Sequence, residues 1–126
     1  MNVPDDLRYS SDHEWARAAG DRIRVGITDY AQDALGDVVF VDLPDPGATV
    51  EAGGLIGEVE STKSVSEIYA PVAGEVVSAN TSLTDAPEQM NADPYGDGWI
   101  CVIRPTDTTQ IAALLDAEAY RALTSD

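Results

Sequence analysis

Apolar and polar positions alternate with a period of two along much of this chain, the pattern of strands that bury one face. Residues 21–27 (DRIRVGI) alternate and run into Thr28 and Asp29, which can cap a short helix that Gly36 ends after Leu35. Residues 38–43 (VVFVDL) read as a strand, stopped by Pro44 and Pro46. In residues 55–60, Leu55, Gly57 and Val59 fall on one side of the ladder and Glu58 and Glu60 on the other. Four small or polar residues follow. Residues 65–69 (VSEIY) then resume a pattern rich in β-branched and aromatic side chains until Pro71, so strand, tight turn and strand make a hairpin. Further strands are expected at about 74–79 and 99–104.

Between these, residues 84–98 hold Pro87, Pro94, Gly96 and Gly98 and predict a long loop with one helical turn. Near the end, Asp107 with Gln110 resembles a capping box. Ile111, Leu114, Leu115, Ala119, Ala122 and Leu123 keep helical spacing after it, which predicts one amphipathic helix over about 107–123, its stripe against the sheet. The fold class is therefore mostly β, of short strands, with short helices and a C-terminal amphipathic helix. At 126 residues the chain is read as a single domain, residues 1–126. A five-residue echo, Gly57-Glu58-Val59-Glu60-Ser61 against Gly74-Glu75-Val76-Val77-Ser78, brackets the hairpin; it is too short to establish a repeat but suits two similar half-units.

Charge narrows the function. A formal net charge of −16 and a pI near 4.1 argue against nucleic acid and anionic membrane surfaces, which need positive patches. The acids suit docking on basic partner surfaces, and equally suit solubility or a salt-tolerant proteome. Cys101 is the sole cysteine, in Trp99-Ile100-Cys101-Val102-Ile103, so an internal disulfide is impossible and a buried thiol in a reducing compartment is expected. No apolar run approaches a membrane span. The first residues lack signal-peptide and transit patterns, so a cytoplasmic location is expected, although a mature organellar protein behind a new Met would read the same.

Lysine adds a sharper signal. The chain has six Arg and one Lys, Lys63, in Glu60-Ser61-Thr62-Lys63-Ser64-Val65 near the hairpin tip. An exposed lysine on rigid flanks is the geometry for attaching a prosthetic group that swings between partners, and compositional drift toward Arg is the plainer alternative. Residues 57–64 also approach the phosphate-loop pattern G-x-x-x-x-G-K-S. Thr62 replaces the Gly that lets backbone wrap phosphate, Glu58 and Glu60 would repel the anion, and no helix follows, so nucleotide binding is rejected.

An ordered set of motifs then resembles one family. It comprises Tyr9 with His13-Glu14-Trp15, Val25-Gly26-Ile27-Thr28-Asp29-Tyr30-Ala31-Gln32, Leu35-Gly36-Asp37-Val38-Val39-Phe40-Val41, and Leu43-Pro44-x-x-Gly47. It continues with Glu58-Val59-Glu60-Ser61-Thr62-Lys63-Ser64, Ala70-Pro71-Val72-x-Gly74, Asp93-Pro94-Tyr95 and Gly98-Trp99. These resemble the H proteins of the glycine cleavage system, which are lipoyl carriers. The resemblance implies a hybrid barrel-sandwich, over about residues 20–104, with a helical segment at about 107–123. It implies lipoate held through an amide at Lys63 and a carrier that is not an enzyme. The implied partners are the glycine decarboxylase (P protein), the aminomethyltransferase (T protein), the dihydrolipoamide dehydrogenase (L protein) and lipoyl-attaching enzymes, with no nucleic acid, no membrane, and a monomeric state.

Glu14 is carried over as an acid near the cationic arm, where a carboxylate favours a charged amine, and Glu67, negative and near the hairpin, is a candidate for the same help. For Glu14 the plainer alternative is a solvated loop acid, and for Glu67 a solvated strand face. His13 is read as structural, because a lone His has no metal-ligand set. A biotinyl carrier would want Met where Thr62 and Ser64 stand. A 2-oxo acid dehydrogenase lipoyl domain would be followed by a Pro/Ala-rich linker, and this chain ends in a helical pattern. A lipoyl relay outside glycine cleavage stays open.

Overall fold

The computed structural model describes residues 2–125. In chain order the elements are β1 (Arg8–Tyr9), β2 (Glu14–Ala19), β3 (Arg22–Ile27), α1 (Asp29–Leu35), β4 (Val38–Asp42), β5 (Thr49–Val50), β6 (Leu55–Ser61) and β7 (Val65–Tyr69). Then come β8 (Gly74–Ala79), α2 (Ser82–Asp85), α3 (Gln89–Ala92), β9 (Cys101–Pro105), α4 (Thr109–Ala112) and α5 (Ala117–Thr124). The strands form a six-stranded sheet, β1-β2-β3-β9-β8-β5, and a three-stranded sheet, β4-β6-β7. One core joins them: Val25, Val76 and Ile103 of the first sheet are buried in the same cluster as Val41, Val59 and Ile68 of the second. Two sheets sharing one apolar interior is the expected barrel-sandwich arrangement. Among the described residues no helix is long and apolar enough to cross a membrane.

Helix α1 forms as its ends dictate. The Thr28 hydroxyl accepts the Ala31 N–H at 3.2 Å, and Gly36 closes the helix at φ 80, ψ −157 with its N–H on the Gln32 carbonyl. The left-handed φ is open to Gly without a Cβ penalty. A second apolar cluster holds Val3, Leu7, Tyr9, Trp15, Tyr95, Ala117 and Tyr120 and fastens both ends of the chain to the outside of the larger sheet. The Trp15 indole lies flat over Gly26, its register partner, where any Cβ would collide with the ring.

Three expectations need correction. The sheet starts before residue 20, since β1 and β2 pair ahead of the alternating 21–27 segment. In β6 the side of the ladder changes: Ile56 is buried and Leu55 exposed, because the pairing with β7 shifts between Leu55 and Gly57. A bulge of this kind reverses the faces of everything beyond it. The loop at 84–98 carries the one helical turn expected, α3, whose Met90 is fully buried, while α2 ends at the start of that loop.

The last correction concerns the C-terminal helix, which is two helices. Leu115 exchanges backbone hydrogen bonds of 2.8 Å with Tyr9 in both directions, so the chain is extended there, and Asp116 restarts the helix by accepting the Ala119 N–H. Nor does the capping box form. The Asp107 carboxylate takes the Thr109 N–H and hydroxyl, while the Gln110 side chain accepts the Ala73 N–H at 2.8 Å.

Candidate functional site

Lys63 stands on the turn between β6 and β7, and Ser61 shapes that turn. The Ser61 N–H donates to the Ser64 carbonyl at 2.8 Å, and the Ser61 hydroxyl accepts the N–H groups of both Lys63 and Ser64 at 3.1 Å. A hydroxyl that bonds the backbone two and three residues on stabilises a tight turn. The turn is also held from outside, because the Thr62 N–H donates to the Asp37 carbonyl at 3.1 Å. Lys63 itself is exposed, and its stem lies along Gly36: a Cβ there would sit 2.9 Å from Lys63 Cε. Sequence reasoning found the lysine but missed Ser61 as its fastener; the Ser-x-x-Ser spacing was the available signal.

A cleft of about 260 Å³ opens beside this turn, between α1 and β7. Ala31, Leu35, Ile27 and Ile68 give it apolar walls, Ser64 borders it next to Lys63, and Asp12, His13, Tyr30 and Glu67 also line it. No Lys or Arg lines it. Pockets for free small molecules usually run to about 300–1,000 Å³, so this one suits a slender, tethered, apolar chain, and its acids suit a cation at the end of that chain.

His13 is in the left-handed region, φ 71, and shares a 2.8 Å hydrogen bond through Nδ1 with the Tyr120 hydroxyl. That hydroxyl lies 2.7 Å from Thr28 Oγ1, and the imidazole packs on the Tyr30 ring with centroids 4.6 Å apart. Burial lowers the imidazole's pKa, opposed by Asp12. The structural reading of His13 fits these bonds, and no cluster of three or more His, Cys, Asp or Glu suited to a metal occurs among the described residues.

Of the acids singled out in the sequence, Glu67 is exposed at the cleft edge, where the Tyr69 hydroxyl donates to it at 3.3 Å. Glu14 is neither solvated nor in a loop. It begins β2, is 1% exposed, accepts the Ser10 hydroxyl at 2.6 Å and the Tyr69 N–H at 3.2 Å, and faces a neighbouring depression that shares Asp12 with the cleft. Burial pushes its pKa up to about 7, against the lowering effect of the two hydrogen bonds. Cys101 is fully buried in the core and its thiol is pushed up to about 12 by desolvation, leaving it unreactive.

The family model described as glycine cleavage H-protein matches residues 7–126. The glycine cleavage system H protein of Anaeromyxobacter sp. (strain K) is 53% identical over 126 residues, covering 100% of this chain and 98% of the relative. That of Mycobacterium avium (strain 104) is 56% identical over 125 residues, covering 95% of each. The chain belongs to the glycine cleavage H-protein family. A crystal structure of the glycine cleavage system H protein from Mycobacterium marinum superposes with a TM-score of 0.88 at 46% identity, over 95% of this chain and 97% of the other. The barrel-sandwich of the H-protein family is thus the fold of this chain.

Proposed function

We propose that this chain is the lipoyl-bearing shuttle of a glycine cleavage system, with lipoate in amide linkage to Lys63. One observation carries the reading: the only lysine of the chain is exposed on a turn fixed by Ser61 and Asp37, beside an apolar cleft that Asp12 and Glu67 also line. The residues present fit the group, since an acylated lysine is neutral and its hydrocarbon arm matches the walls formed by Ala31, Leu35 and Ile68.

When attached at Lys63, the lipoyl group would supply a disulfide able to carry an aminomethyl group between the glycine decarboxylase and the aminomethyltransferase and to be reoxidised by the dihydrolipoamide dehydrogenase. The chain's own residues hold and present that arm. Ser61 and Asp37 set the direction in which Lys63 leaves the surface. Glu67 and Asp12 place negative charge where a cationic arm end would rest, and Glu14 adds a carboxyl behind Tyr69. No residue of the chain need perform chemistry, so it acts as a carrier and not an enzyme, working as one monomeric domain in the cytoplasm. Tethering raises the arm's effective concentration at each partner without new contacts.

Reconstitution tests this. Wild-type protein loaded by a lipoyl-attaching enzyme should support exchange of labelled bicarbonate into glycine by the decarboxylase. Lys63→Arg should give none, and exchange by Lys63→Arg at the wild-type rate would refute the carrier role.

A further inference from the structure

Asn91 sits on the single turn α3, outside the cleft, yet its side-chain amide reaches the segment beneath Lys63. Its Nδ2 donates to the Gly36 carbonyl at 2.8 Å and to Gln32 Oε1 at 3.1 Å, and its Oδ1 accepts the Val38 N–H at 2.8 Å. Bonding the carbonyl of one residue and the N–H of the second residue after it is what the N–H and C=O of a single residue on a neighbouring strand do in a parallel ladder. Strand β4 is an edge of the three-stranded sheet, so the Asn91 amide stands in for a missing strand on an otherwise open edge.

Asp37 is the residue enclosed by those two bonds, and its carbonyl points the other way, to the Thr62 N–H at 3.1 Å. Gly36, one residue earlier, supports the Lys63 stem. The platform is itself anchored. Met90 beside Asn91 is fully buried, and Gly98 packs so close to the α3 backbone that a Cβ would lie 2.7 Å from the Gln89 carbonyl and 2.9 Å from Met90 Cα. A rigid helix therefore grips one edge of residues 36–38, and those residues grip the lysine turn with the other.

We propose that Asn91 is a positioning residue for Lys63: it fixes the Gly36–Val38 segment so that the turn presents the lysine in the pose that a lipoyl-attaching enzyme reads. This rests on Lys63 being the lipoyl attachment site. Without the amide, the Gly36 carbonyl and Val38 N–H are left to water, the segment loosens, and the Thr62 bond loosens with it.

The test combines amide hydrogen exchange by NMR with the rate of lipoylation by a lipoate ligase supplied with lipoate and ATP. In Asn91→Ala, exchange at Thr62 and Val38 should speed up roughly tenfold relative to Val59 and Ile103 in the core. The ligase kcat/KM should fall roughly five- to tenfold, the worth of about one hydrogen bond. If Asn91→Ala proves too unstable to compare, Asn91→Asp keeps an acceptor for Val38 but loses both donated bonds, and must still speed exchange at Thr62. Unchanged Thr62 exchange and loading within twofold of wild type would overturn the proposal, and so would equal acceleration at every amide, the mark of a purely structural role. Failure of wild type itself to load at Lys63 would refute the carrier reading instead, leaving Thr62 exchange to decide the role of Asn91.

Discussion

The Glu14 carboxylate accepts the Tyr69 N–H at 3.2 Å, which ties the first residue of β2 in one sheet to the last of β7 in the other. The bond is made by a buried acid whose pKa is raised from 4.5 to about 7. The folded state thus holds this proton more tightly than the unfolded chain does. Its contribution to stability is fully present below pH 4.5 and is lost as pH rises through 7. Burying the charged form at pH 8 costs on the order of 3 kcal/mol relative to pH 4.5. Glu14→Gln should remove this dependence, so that urea unfolding from pH 4.5 to 8 shows wild type losing stability relative to the variant. Parallel curves would contradict the assignment.

Tyr120 joins the C-terminal helix to the cleft. Its fully buried ring stacks on Tyr9 with centroids 4.6 Å apart, and its hydroxyl bridges His13 and Thr28. Tyr120→Phe keeps the stack and removes the bridge, so urea unfolding should show a loss of about 1–3 kcal/mol. A change below about 0.5 kcal/mol would mean that water satisfies His13 and Thr28 equally well.

Gly36 combines a left-handed φ of 80 with contact to Lys63 Cε. Gly36→Ala should cost about 1–3 kcal/mol from backbone strain and also displace the lysine stem. The lysine's side-chain NMR signals should shift, whereas an alanine introduced at Gly20, also at positive φ but with nothing within 4 Å, should leave them in place.

Acids form a row across the three-stranded sheet: Asp42 pairs with Glu58, and Glu58 with Glu67. Like charges placed opposite one another destabilise a sheet, and none of the three makes an ion pair among the described residues. Such a row would steer basic partner surfaces, and amide formation at Lys63 takes the formal charge from −16 to −17. Because salt screens exposed charges over about 8 Å near physiological ionic strength, association with the decarboxylase and aminomethyltransferase should slow as salt rises. Biosensor rates that stay flat across a salt series would assign the acids to solubility alone.

The hairpin and its lysine were legible because period-two alternation, a run of small residues and Pro71 are all local signals. Leu55 and Ile56 were misplaced because a bulge leaves no mark on the alternation that precedes it. The C-terminal helix was drawn through Leu115 because its spacing is helical; what breaks it is a pairing with Tyr9, at the other end of the chain. Asp116, an N-cap inside the apparent helix, was the local clue. The burial of Glu14 was hidden for a similar reason, since its partners Ser10 and Tyr69 meet only once the two sheets face each other. Asn91 looked like one polar residue in a polar loop, and its three bonds exist only after α3 docks against the end of α1 and the start of β4.

Acylation of Lys63 is tested most directly by intact and peptide mass spectrometry of the protein made in a lipoate-competent host. The expected result is the mass of one lipoyl group per chain, confined to the peptide that carries Lys63 and absent from Lys63→Arg. A fully active shuttle with unmodified Lys63, or a lipoyl group mapped to the α-amine, would contradict it.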